Sequence, residues 1–243
     1  MMKYGQFCPI AKATELLGER WTFLIVRELL MGARRFNELQ RGLGHISPAL
    51  LAARLKAFEE EGLIVRRRIS GQRGFEYYPT TACEGLLPVL VALGEWGLCW
   101  ARHRLTIDDL NVDFLMHYLE RSIDPSQLPG SETVIQFKFV DLVDQRDWWL
   151  LVREGKVDIC VTSPARDVDI FFTTTVRTMH DVWMGDRTVR EAVLAGELLI
   201  EGDPGLTRRI SSWLRQSIFS EAQRAPVPDN LRHSSSHLAG TSA

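Results

Sequence analysis

Three observations predict an α+β chain of two unlike domains. Residues 36–62 read as a short helix, a glycine-bounded turn and a second helix opening at Ser47. Residues 64–79 read as two short strand-like runs flanking Gly71-Gln72-Arg73-Gly74. Beyond Ile107, apolar residues alternate with polar ones in several runs. The first two patterns together describe an N-terminal winged helix-turn-helix with a basic β-hairpin wing, and the third a C-terminal antiparallel sheet packed with helices. A chain of 243 residues accommodates two cores, since domains run to roughly 100 to 150 residues. The domains are expected at 1–104 and 105–220, with a disordered tail at 221–243, where Pro, Ser and His occur without periodicity.

In the first domain, Ile10, Ala13, Leu16 and Leu17 recur at three- and four-residue spacing, as do Trp21, Leu24, Ile25, Glu28 and Leu29. That spacing predicts helices over 8–17 and 20–31, separated at Gly18. A third helix covers 36–41, and Gly42-Leu43-Gly44 forms the turn. Ser47 is placed to cap the fourth helix, with Pro48 at its first position, where a missing N–H costs nothing. Leu51, Leu55 and Phe58 make its inward stripe, so Ala49, Leu50, Ala53, Arg54 and Ala57 face outward. A fifth helix is expected over about 81–102, bent at Pro88. Its apolar content, with Leu86, Leu87, Leu93, Trp96 and Trp100, exceeds what one face of a small domain buries and predicts a buried or dimer-forming helix. The stretch 86–101 falls short of the roughly 20 residues of a membrane span and contains Glu95, so no membrane partner is expected.

In the second domain, a helix at 110–123 is stopped by Asp124-Pro125-Ser126. Ile135, Phe137 and Phe139 then share one strand face, Val157, Ile159 and Val161 another, and Val168, Ile170 and Phe172 a third. Residues 148–152 are apolar on both faces, as in a central strand, and Glu154-Gly155-Lys156 is a tight hairpin turn. Helices follow at 175–184 and 188–194, then a strand at 197–201, the turn Gly202-Asp203-Pro204-Gly205, and a last helix to about 219.

The net charge of −2 conceals two opposite halves: residues 1–104 carry 15 Lys and Arg against 10 Asp and Glu, residues 105–243 carry 14 against 21. Only the first half suits a polyanion. Cys8, Cys83, Cys99 and Cys160 show no C-x2-C spacing, and no basic flank leads into an apolar run at the N-terminus, which points to a reduced, cytoplasmic protein. The six histidines form no metal motif, His180 and Asp181 are neighbours that point apart on a helix, and no G-x-S-x-G occurs. Neither a metal, a cofactor nor enzymatic activity is expected.

Double-stranded DNA is the partner implied by the winged unit. The candidate contacts are Arg34, Arg35, Asn37 and Arg41 around the third helix, Ser47, Pro48 and Arg54 on the fourth, and Arg66, Arg67, Arg68, Gln72 and Arg73 on the wing. The outward face of the fourth helix, Ala49, Leu50, Ala52 and Ala53, can touch thymine methyls but cannot form bidentate hydrogen bonds with bases. Direct readout is therefore expected from Ser47, Arg54 and the wing. A solvated arginine surface on a protein-docking module is the alternative.

Residues 8–97 resemble the HxlR family of bacterial winged-helix regulators, relatives of the MarR type. The matching residues are Cys8-Pro9-Ile10, Leu17-Gly18-Glu19-Arg20-Trp21-Thr22, Arg27-Glu28-Leu29, Arg35-Phe36-Asn37-Glu38-Leu39, Ile46-Ser47-Pro48, Leu51, Arg54-Leu55, Glu60-Glu61-Gly62-Leu63-Ile64 and Leu87-Pro88-Val89-Leu90. The resemblance implies a homodimer, built through the first and fifth helices, on an inverted-repeat operator. Ala52-Ala53 and the run Thr81-Ala82-Cys83-Glu84-Gly85 depart from the family pattern. Cys8 aligns with a cysteine that some members use to sense oxidants. A thiolate there would be favoured by the helix N-terminus and by Lys12 nearby; a small buried apolar residue is the alternative.

Residues 113–219 resemble the sterol-carrier-protein fold through the strand at 134–140, Trp149-Leu150-Leu151-Val152, Gly155-Lys156-Val157, Asp167-Val168-Asp169-Ile170, Met184-Gly185-Asp186 and the run from Leu194-Ala195-Gly196 to Gly202-Asp203. This implies a five-stranded antiparallel sheet covered by helices, enclosing an apolar tunnel for a lipid, fatty acyl chain or sterol. Phe137, Phe139, Trp148, Phe171, Phe172, Met179, Trp183, Met184 and Trp213 are the candidate lining residues, with Arg177 or His180 to anchor a carboxylate. The same side chains could instead fill a core. Together the halves read as a homodimeric transcriptional regulator modulated by an apolar small molecule. The alternative is a lipid or acyl-chain carrier with a winged helix that docks on protein.

Overall fold

Pro9 opens α1 (Pro9–Leu17), and Gly18 follows it because a Cβ there would lie 2.6 Å from the Thr14 carbonyl oxygen. After Trp21, held in the left-handed region at φ 77°, comes α2 (Thr22–Leu30). The Glu38 carboxylate accepts the backbone N–H groups of Arg34 at 2.8 Å and Arg35 at 3.0 Å, closing the start of α3 (Phe36–Leu43). Ser47 Oγ accepts the Leu50 N–H at 3.3 Å and caps α4 (Pro48–Glu60). Leu51, Leu55 and Phe58 are buried in one cluster with Ile25, Leu29 and Leu39, the stripe that the spacing predicts. Strands β1 (Ile64–Arg68) and β2 (Phe75–Pro79) pair antiparallel as the wing. The Tyr77 N–H donates to the Arg34 carbonyl at 2.8 Å, adding one rung beside β2. The computed structural model describes residues 3–222 and separates into two units, Met1–Trp96 and Gly97–Ala243. Apart from Glu221 and Ala222, the expected disordered tail lies outside the described residues.

The expected fifth helix is two helices, α5 (Thr81–Glu84) and α6 (Leu87–Trp100), broken at Gly85-Leu86 instead of bent at Pro88. Pro88 stands second in α6, where the N–H that proline lacks would have no intrahelical partner, so it is tolerated at a helix start. None of the residues of α6 is buried, and Leu93, Trp96 and Trp100 are exposed. Within the 20-residue stretch Thr81–Trp100 an 18-residue window has a mean hydropathy of 1.4, so length and composition alone would let it cross a membrane, contrary to the shorter run expected. The continuous helix α6 spans only about 21 Å at 1.5 Å per residue, against a hydrocarbon core of about 30 Å.

In the second unit, α7 (Val112–Ser122) precedes five strands, β3 (Glu132–Phe139), β4 (Asp147–Arg153), β5 (Lys156–Cys160), β6 (Ile170–Thr174) and β7 (Leu198–Gly202), ordered β5-β4-β3-β6-β7. The sheet is mixed, which corrects the antiparallel expectation: β3 and β6 run parallel, with Ile135 opposite Ile170 and Phe139 opposite Thr174. Glu154 at φ 52° and Gly155 at φ 73° turn β4 into β5 on one side of β3. The chain then crosses through 161–169 to the other side of β3 and runs in the direction of β3 itself. Alternation of period two specifies which face a residue occupies, not which way its strand points.

Thr175 caps α8 (Val176–Met184) and Thr188 caps α9 (Val189–Leu194). At the end of β7, Gly202 has φ 122°, and a Cβ on it would lie 2.2 Å from the Asp169 carbonyl oxygen. That oxygen accepts the Asp203 N–H at 2.8 Å, while Asp203 Oδ1 accepts the Leu206 N–H at 2.8 Å and caps α10 (Pro204–Arg208). The helix expected to reach 219 ends with α11 (Ile210–Trp213). Leu214 leaves it to form a β-bridge with Ile123, and the Arg215 N–H donates to the Ser122 carbonyl at 2.8 Å.

Candidate functional site

The first two turns of α4 leave Pro48, Ala49, Leu50, Ala52 and Ala53 exposed. Arg54, expected on that outward face, is only 21% exposed, because its guanidinium donates to Glu19 Oε2 at 2.6 Å in the turn between α1 and α2. Among the described residues its Nε is buried without a hydrogen-bond partner. The Arg34 guanidinium is likewise turned to the domain itself, donating to the carbonyls of Leu29 at 2.6 Å and Ala33 at 3.0 Å and lying over the Tyr78 ring at 5.6 Å. Ser47 spends its hydroxyl as a cap. Three of the residues nominated for DNA contact therefore have structural duties. Glu19, which sets one of them, has no local signal in the sequence, since it stands 35 residues from Arg54.

The remaining basic groups divide by engagement. Arg35 lies 3.6 Å from Glu76, Arg66 lies 3.4 Å from Glu59 and stacks on Phe75 at 4.5 Å, and Arg67 lies over Tyr78 at 4.8 Å. Arg41, Arg68 and Arg73 are exposed and have no ion pair or side-chain hydrogen bond among the described residues; Asn37 and Gln72 are exposed as well. The Ile69 N–H donates to the Gly74 carbonyl at 3.3 Å, and Gly71 at φ 70° and Gly74 at φ 120° take the backbone angles that close the wing tip carrying Gln72 and Arg73. Three uncommitted guanidinium groups with exposed amides suit phosphate oxygens.

All four cysteines are free thiols. Cys8 is half-buried at the N-cap of α1, but the Lys12 ammonium counted on beside it is held 2.9 Å from Glu15. That hydrogen bond also holds the Glu15 carboxyl below its usual range. Cys83 is fully buried, and burial pushes its thiol up to about 11.

In the second unit, most side chains nominated to line a chamber fill the core instead. Phe137 stacks on Phe172 at 4.8 Å and lies 6.4 Å from Phe139, and Trp213 meets Phe172 edge-on at 6.1 Å. The Trp148 indole N–H donates to the Gln145 carbonyl at 2.9 Å. A cavity of about 330 Å³ lies instead among α8, α9 and α11. Its apolar wall includes Met179, Val182, Trp183, Ile210 and Leu214, and its charged groups are Arg190 and Arg215. Of the expected lining residues, Met179 and Trp183 line it and Phe137, Phe139, Trp148, Phe172 and Met184 do not; the stacked rings of Phe137, Phe139 and Phe172 are packed into the core. Phe171 faces the other side of the sheet from Phe172, and Arg177 and His180 lie outside the lining. Among the described residues no group of three or more His, Cys, Asp and Glu could hold a metal ion.

Residues 16–104 match the family model described as HxlR-like helix-turn-helix, and residues 102–219 match the one described as alkyl sulfatase C-terminal. YvaP of Bacillus subtilis, an uncharacterised HTH-type transcriptional regulator, is 36% identical over 101 residues, which are 41% of this chain and 94% of that protein. An uncharacterised HTH-type transcriptional regulator of Mycobacterium tuberculosis is 43% identical over 89 residues, 36% of this chain. The chain spans about half of this relative, 56% of its length. The reduced form of the transcriptional regulator YodB from B. subtilis shares 31% identity over 38% of this chain and 92% of that one, with a TM-score of 0.34.

Proposed function

Since this chain belongs to the HxlR-like helix-turn-helix family of transcriptional regulators, we propose that it binds an inverted-repeat operator as a cytoplasmic homodimer, modulated by an apolar small molecule in its second unit. The observation that carries the reading is an exposed recognition helix in a unit whose Arg41, Arg68 and Arg73 are uncommitted among the described residues. Arg68 and Arg73 belong to the wing strand and its tip, where a winged domain meets phosphates. The dimer is supported by the unburied apolar side chains of α6, because a face carrying Leu93, Trp96 and Trp100 gains most by meeting its own copy. The ligand is supported by the cavity of about 330 Å³, and the sterol-carrier likeness of the second unit belongs to this same proposal. No catalytic step or cofactor is part of the reading.

The test is fluorescence anisotropy of the full chain with duplex DNA from upstream of its own coding region, titrated over a salt series. Three phosphate contacts per chain, six per dimer, give a slope of log K against log salt of about −5. Absence of salt-dependent binding to that DNA contradicts the proposal. Binding of an apolar molecule without any affinity for DNA would instead fit the lipid carrier with a protein-docking winged unit.

A further inference from the structure

What α4 can read in a duplex is limited by what its surface lacks. The exposed side chains of its first two turns are Pro48, Ala49, Leu50, Ala52 and Ala53, none with a donor or an acceptor. The neighbouring polar groups are engaged: Ser47 Oγ accepts the Leu50 N–H, the Arg54 guanidinium is bound to Glu19, and Lys56 Nζ lies 3.5 Å from Glu60. Hydrogen-bonded readout of base edges from this helix is thus confined to the Ser47 O–H, which the cap leaves free to donate, and to the exposed Lys56 ammonium. Leu50 nevertheless stands 37% exposed, an unsheltered branched apolar side chain on a positively charged unit. The apolar group on a base edge in the major groove is the thymine C5-methyl.

Building on the DNA-binding reading above, we infer that α4 selects its operator by packing Ala49, Leu50 and Ala53 against thymine C5-methyl groups, while Arg41, Arg68 and Arg73 hold phosphates. The arginines supply affinity for any duplex, and the methyl contacts supply the choice among duplexes. Burying one methyl is worth a factor of about four in affinity, so three or four across the two half-sites give about a hundred-fold.

The upstream duplex is made with thymine, or with uracil at every thymine position including the primers, so that the second product lacks every C5-methyl and is otherwise the same, and each is titrated with the full chain by fluorescence anisotropy. The uracil duplex is expected to bind at least about ten-fold more weakly, even if part of each methyl stays in contact with water. The salt slope is expected to stay the same, because the phosphates are unchanged. Leu50→Ala narrows the ratio between the two duplexes, whereas Arg73→Ala weakens both alike. Leu50 lies on the surface beside an intact stripe of Leu51, Leu55 and Phe58, and a thermal melt verifies that the variant is folded. Equal affinity for the two duplexes with normal salt dependence overturns this inference and leaves the DNA-binding reading standing. A folded Leu50→Ala variant with an unchanged ratio overturns it as well. Affinity for neither duplex overturns both readings.

Discussion

Arg34 and Arg73 carry the same charge into different work. The Arg34 guanidinium satisfies two backbone carbonyls, so Arg34→Ala removes charged hydrogen bonds worth about 1.5 to 3 kcal/mol in typical proteins. Its expected signature is a lower melting temperature. Arg73→Ala, at an exposed tip without a partner among the described residues, is expected to leave the melt within about 0.5 kcal/mol of stability. The salt slope of DNA binding should become shallower by about 1.8, one phosphate lost in each of two chains. Swapped signatures in the two variants would reverse the assignment. Ser47 and Pro48 were legible as a helix start because a cap and its helix are neighbours in sequence. The engagements of Arg34 and Arg54 were not, because Glu19 and the Leu29 carbonyl are brought to them by folding. Among the thiols, alkylation needs thiolate, so burial of Cys83, which pushes it up to about 11, should protect it from iodoacetamide at pH 8 while half-buried Cys8 reacts. Peptide mass spectrometry reads the order of labelling, and early modification of Cys83 would contradict its burial.

At the scale of elements, α6 carries the strongest consequence. Its residues Leu87, Val89, Leu93, Trp96 and Trp100 are exposed among the described residues, so Trp96→Asp, at a position 59% exposed, should leave the fold intact and convert a dimer to a monomer in light scattering. A dimer that survives the substitution would move the interface elsewhere. The helix itself was legible from composition, but its break at Gly85-Leu86 was not, because Pro88 obeys a rule whose sign depends on how near the helix start it falls. The strands were likewise legible by alternation, and the direction of β6 was not, since a parallel neighbour has the same pattern of faces as an antiparallel one. The Gly-Asp ending of β7 was noticed as a motif, and its reason is steric. Gly202→Ala would push a Cβ to 2.2 Å from the Asp169 oxygen at a φ of 122°, and is expected to destabilise the second unit by about 3 kcal/mol or more. A denaturant midpoint unchanged by that substitution would contradict the packing of β6 against β7.

For the whole molecule, the more basic half is the one that matches the helix-turn-helix family model, and helix spacing was enough to place its two helices and turn. That Phe137, Phe172 and Trp213 pack against one another was not legible, because periodicity treats a ring that lines a space and a ring that fills one alike. The proposed mode of action requires two copies of this chain on one operator. Native mass spectrometry is performed on the full chain mixed with a duplex of about 30 base pairs from the upstream DNA that it binds in the anisotropy titration, long enough to span two half-sites a helical turn apart. Two chains on one duplex, with the free protein already dimeric, is the expected spectrum. A single chain per duplex, or a monomer that leaves the duplex bare, would contradict the claim.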